Sequence, residues 1–171
     1  MQNNNIKTLE TLAQNYISKY QYNDAKVIYF KLIGINPNNY IYVARLASIE
    51  LFLKNYEEAK SFFLKSISIC STYIEGYNCL GYIYKLQGDF LKARFYYNQA
   101  LCIDNGYFPA LTNLAVLIMN QEPQKAIELL RKAESINTES SDINFNLGLA
   151  YTILKDYEEA INFYSKAIHI K

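Results

Sequence analysis

Apolar residues recur three and four positions apart along the chain, in paired stretches separated by short polar breaks. Leu147, Ala150, Tyr151 and Leu154 share one face of a helix, and Ala160, Tyr164, Ala167 and Ile168 share a face of the next. The break between the two halves of a pair carries Asn55, Asp89 or Asp156, short side chains that can cap the open N–H groups of a helix start. Glu57-Glu58 and Glu158-Glu159 follow in the first turn, where carboxylates interact favourably with the helix dipole. Adjacent carboxylates on a helix diverge, so these pairs read as helix-start residues and not as a glycosidase acid–base couple.

The pattern is periodic. Ala25, Ala59, Ala93, Ala126 and Ala160 are spaced by 34, 34, 33 and 34 residues. The chain therefore divides into repeats 6–39, 40–73, 74–107, 108–140 and 141–171, with residues 1–5 expected as a disordered tail. The fourth repeat is one residue short, at the turn around Glu122-Pro123. The seventh position of each repeat holds Leu12, Leu46, Leu80, Leu114 and Leu147, and the eighth holds Ala13, Ala47, Gly81, Ala115 and Gly148. Two helices approach closely only where small residues face each other, and the eighth position and the alanine at the twentieth supply those contacts. The twenty-fourth position, Tyr29, Phe63, Tyr97, Leu130 and Tyr164, is expected to fill the space between one helix pair and the next. The seventeenth, Tyr22, Tyr56, Phe90 and Tyr157, is expected to pack at the turn. Tyr suits such sites because the ring is buried while the hydroxyl stays wet.

These residues resemble the tetratricopeptide repeat family over 6–171. The third repeat matches best, with Tyr77, Leu80, Gly81, Tyr84, Ala93, Tyr97 and Ala100, and the first supplies Pro37. Glu50, Ser66 and Asn144 depart from the pattern at its eleventh, twenty-seventh and fourth positions. The resemblance implies an all-α, right-handed superhelical solenoid of antiparallel helix pairs. The first helix of each pair would line a concave groove, and each repeat would touch only its neighbours. It also implies a protein–protein interaction scaffold that holds a peptide or helix segment in that groove.

The groove positions from the second repeat onward mix apolar groups with amides and cations. The expected peptide-binding residues are Arg45, Phe52, Asn78, Tyr82, Lys85, Asn113, Val116, Met119, Phe145, Asn146 and Leu149. Chaperone-binding members of the family clamp a terminal carboxylate with Lys, Asn and Arg at set groove positions. One register here gives Glu10, Gln14, Arg45, Glu75 and Cys79, and no register supplies the required cations. O-GlcNAc transferases are similar in carrying Asn at the sixth position, matched here by Asn113 and Asn146 but not by Thr11, Arg45 or Cys79. A side-chain amide donates and accepts, so each Asn can pair with a peptide unit of an extended ligand. Each such rung contributes only about 1 kcal/mol, so apolar neighbours must supply the rest. An accessory, substrate-recruiting region of a glycosyltransferase-like enzyme is the alternative.

Composition narrows the remaining chemistry. The 171 residues carry 17 Lys and Arg against 16 Asp and Glu, a net charge of +1, which gives no field for nucleic acid. The single histidine, His169, cannot build a multi-histidine metal site, and no nucleophile–base pair or phosphate-cradling glycine loop is present. The reading is non-catalytic, with no cofactor and no metal. Cys70, Cys79 and Cys102 form no CxxC, so reduced thiols and a cytoplasmic setting are expected. Cys79 falls at a groove position, where modification of its thiol could block binding. No apolar run reaches the roughly 18 residues of a membrane span. The last helix ends at Ile168-His169-Ile170-Lys171 without a polar cap, so further chain or self-association is expected at that end.

Overall fold

The computed structural model describes residues 2–169, with side chains from Asn5 onward. It contains α1 (Gln2–Ser18), α2 (Tyr22–Ile35), α3 (Tyr40–Phe52), α4 (Tyr56–Ile69) and α5 (Ile74–Leu86). These are followed by α6 (Phe90–Ile103), α7 (Phe108–Ile118), α8 (Pro123–Ile136), α9 (Ser141–Ile153) and α10 (Tyr157–His169). No strand occurs among the described residues, so the chain is all-α. Helix α1 starts at Gln2, so residues 2–5 are helical where a disordered tail was expected; Met1, Ile170 and Lys171 lie outside the described residues.

The helices gather into two compact units, residues 1–83 and 84–171. In the first unit α1 packs on α2, α2 on α3 and α3 on α4. Its core holds Ala13, Ala25, Tyr29, Leu32, Leu46 and Ile49. In the second unit α6 packs on α7, and so on in sequence to α9 on α10. Ala93, Tyr97, Leu114, Ala126, Leu130, Leu147 and Phe163 form its core. The five alanines at the twentieth position are at most 3% exposed, as close helix packing requires. At the eighth position of the last repeat, a Cβ on Gly148 would come within 2.6 Å of the Tyr164 ring, so any larger residue there requires that ring to move.

The turns inside the repeats share a geometry that periodicity did not reveal. Tyr20, Lys54, Gly88 and Lys155 all occupy the fifteenth position and have φ of 59°, 62°, 78° and 63°. The next residue then returns its N–H to the carbonyl five back: Gln21 to Tyr16 at 2.8 Å, Asn55 to Glu50 at 2.9 Å, Asp89 to Tyr84 and Asp156 to Tyr151 at 3.0 Å. This is the left-handed helix stop, and glycine is its natural residue. The shortened fourth repeat omits this residue; Glu122 donates instead to Ile118 at 2.8 Å.

Three of the capping expectations can be followed atom by atom. Asp89 Oδ1 accepts from Lys92 N at 3.1 Å and Asp156 Oδ1 accepts from Glu159 N at 3.3 Å. Asn55 stands at the N-cap of α4 but does not cap it. Its Nδ2 donates to Glu50 Oε2 at 2.8 Å.

Candidate functional site

The two units present separate surfaces. In the first, Tyr40, Ile41, Ala44, Arg45 and Ser48 of α3 line a hollow of about 390 Å³ together with Tyr73 and Glu75. Arg45 is exposed at this hollow. Beside it, the buried Tyr42 donates its hydroxyl to Glu10 Oε1 at 2.7 Å. Burial and the Glu10 carboxylate together push the Tyr42 phenol up to about 12, so it remains a neutral donor throughout the physiological range. Asn78 is partly buried on α5 and Tyr82 is 39% exposed. Phe52 lies at the turn end of α3, where its ring sits 4.6 Å from that of Tyr22, and it does not line the Arg45 hollow.

In the second unit, the starts of α7 and α9 flank a hollow of about 170 Å³ lined by Phe108, Pro109, Thr112 and Asn113 from the α7 end and by Ser140, Asp142 and Ile143 from the α9 end. Asp142 also borders a second hollow of about 410 Å³, formed with Ser141, Phe145, Tyr164, Ala167 and Ile168. Asn113 and Phe145 thus stand on either side of Asp142. Phe145 is 51% exposed, and its ring lies 5.7 Å from that of Tyr164. Asn146 and Leu149 are partly buried, and Leu149 leans on the core. Lys85 and Val116 line a different crevice, considered below.

Four expectations are corrected by this arrangement. Met119 is only 6% exposed and belongs to the core, so it is not a groove residue. Helix α7 stops at Ile118, and Met119 becomes its C-cap. Phe90 and Tyr157, expected to pack at the turns, are each 60% exposed. Tyr164 is only partly buried, and Phe163 one position earlier takes the fully buried place. Cys79 is a poor candidate for reaction, because burial and Glu75 push its thiol up to about 11 and leave little thiolate near neutrality. The exposed thiol is Cys102.

Among the described residues, no group of three or more His, Cys, Asp or Glu side chains is placed to hold a metal ion. No helix there is long and apolar enough to cross a membrane.

Family models described as tetratricopeptide repeat match residues 42–73, 74–106 and 141–171. No curated protein matches the sequence. Solved structures match over most of its length. PilF of Pseudomonas aeruginosa is 18% identical, with 97% of this chain and 76% of that chain covered and a TM-score of 0.86. MamA is 23% identical over 91% of this chain and 92% of its own, with a TM-score of 0.77. YrrB, described as a TPR protein with an unusual peptide-binding site, is 18% identical over 94% and 84%, with a TM-score of 0.70. At these identities the likeness is one of fold. With three family matches in phase with the repeat, the chain belongs to the tetratricopeptide repeat family.

Proposed function

We propose that the protein is a non-catalytic interaction module that binds a peptide or helix segment of a partner protein across α7 and α9 of the second unit. The carrying observation is the half-exposed Phe145 at an apolar hollow, with the amide of Asn113 across Asp142 from it. An exposed aromatic ring beside amides suits a segment with an apolar anchor and an exposed backbone. Asn146 and Leu149 extend that surface along α9. The peptide-binding site named for YrrB supports the same reading. Arg45, Asn78 and Tyr82 give the first unit a surface of its own for the same kind of ligand.

The test is a peptide array of varied sequence, probed with the wild type and with an Asn113→Ala/Asn146→Ala/Phe145→Ala variant verified as folded by circular dichroism. Peptides bound by the wild type are expected to lose at least about ten-fold in affinity, equivalent to about 1.4 kcal/mol. Equal binding by the two proteins overturns this placement.

A further inference from the structure

Lys85 and Val116 were expected in the peptide groove, yet they line a crevice that shares no residue with the Asn113 hollow. The crevice measures about 520 Å³ and lies at the turn end of the second unit. Lys85 at the end of α5, Phe90, Leu91 and Arg94 at the start of α6, and Val116 and Leu117 near the end of α7 form its walls. That volume falls in the range of about 300–1,000 Å³ usual for ligand clefts. Its apolar wall is open to solvent: Phe90 is 60% exposed and Leu91 is 85% exposed. The equivalent ring in the first repeat, Tyr22, is covered by Phe52.

The charges around the crevice are unbalanced. Arg94 and Lys125 share the Glu122 carboxylate at 2.8 and 3.4 Å, and Lys92 holds Asp89 at 2.8 Å. Lys85 enters no ion pair among the described residues. Of the two charged residues that line the crevice, Arg94 is paired with Glu122, so Lys85 is its uncompensated cation. Partial burial lowers the Lys85 ammonium below its ordinary range, the effect of desolvation on a cation with no carboxylate beside it. An arriving carboxylate relieves that cost. A nucleic acid has little use for the Phe90 and Leu91 wall, and one uncompensated cation neutralises too few phosphates to hold it.

We propose that this crevice binds an acidic peptide segment with an apolar anchor, a carboxylate pairing with Lys85 and a Leu- or Phe-sized side chain lying between Phe90, Leu91 and Val116. The site is independent of the surface around Asn113 and Asn146. The probe is a fluorescein-labelled peptide, Ser-Asp-Asp-Leu-Phe-Asp-Asp-Ser, titrated by anisotropy against the full chain. Saturable binding is expected, weakened about ten-fold by Lys85→Gln, by Leu91→Ser and by replacing every Asp of the peptide with Asn. Leu91 is so exposed that its replacement leaves the fold intact, which circular dichroism checks. The Asn113→Ala/Asn146→Ala variant is expected to bind as the wild type does. No saturable binding overturns the proposal, as does equal binding of the Asn peptide or equal binding by Lys85→Gln. Loss of binding in the Asn113→Ala/Asn146→Ala variant moves the peptide to the other surface and also overturns it. Tighter binding of a labelled single-stranded RNA oligonucleotide than of the peptide does the same.

Discussion

Glu50 in the first unit and Asn144 in the second are both buried polar residues at positions where the repeat pattern calls for an aromatic ring, and the two units accommodate them differently. Glu50 is 3% exposed, yet its carboxylate is paired with Lys26 of α2 and accepts from Asn55 Nδ2 at 2.8 Å. Asn144 is 2% exposed; its Nδ2 donates to the Ser140 carbonyl at 3.0 Å, while its Oδ1 has no hydrogen-bond partner. A polar side chain in a helical core is tolerable in proportion to the partners that reach it. Glu50 draws partners from the preceding pair and from the next helix start. Asn144 has only its own turn. At the eleventh position of the last repeat the pattern is kept: Tyr151 stacks on Phe163 at 5.6 Å, and its hydroxyl accepts from Arg131 at 3.2 Å.

The sharpest way to break the contrast is to remove one partner of Glu50. Lys26→Met leaves the carboxylate buried without its cation and is expected to destabilise the protein by about 3 kcal/mol, read from the urea midpoint. Adding Glu50→Ile, the residue type that stands at the equivalent Ile118 of the fourth repeat, is expected to recover most of that loss. A double variant as unstable as Lys26→Met alone would show that the pair, and not the orphaned charge, carries the stability. Asn144→Leu works in the opposite direction. Deleting an unsatisfied acceptor from an apolar site is expected to raise stability by about 1 kcal/mol in the same assay. The turns give the next effect. Lys155→Gly relieves a left-handed residue and is expected to stabilise by about 0.7 kcal/mol, whereas Gly88→Ala is expected to cost about as much. Arg131→Ala should move the midpoint least, by about 0.5 kcal/mol or less, because its contacts to Tyr151 and Glu134 are half-exposed.

The sequence carried the repeat because its signals are steric. A helix pair cannot close on a large side chain, so Ala25, Ala59, Ala93, Ala126 and Ala160 expose the period directly. What stayed hidden depended on where a side chain turns. Asn55 looked like Asp89 and Asp156, but its amide is diverted to Glu50 and the cap is lost. Lys54 and Lys155 carry no mark of a left-handed turn; only Gly88 does. Met119 counted as a groove residue by position, but the one-residue deletion that follows ends α7 at Ile118 and places Met119 in the core. Lys85 and Val116 sit at groove positions of the repeat. Their joining with Phe90 and Leu91 in one crevice needed three helix ends in space, which no single amphipathic stripe can show.

Within each unit the helices pack on those next to them in the chain, and this has a mechanical consequence. When tension is applied along the second unit, the closely packed pair α9–α10 separates from α8 while α7 stays seated on α8. The load meets a series of small barriers instead of one large one, so extension proceeds as stepwise yielding. Release then needs only local rewinding, because no contact between distant stretches of chain has to be found again.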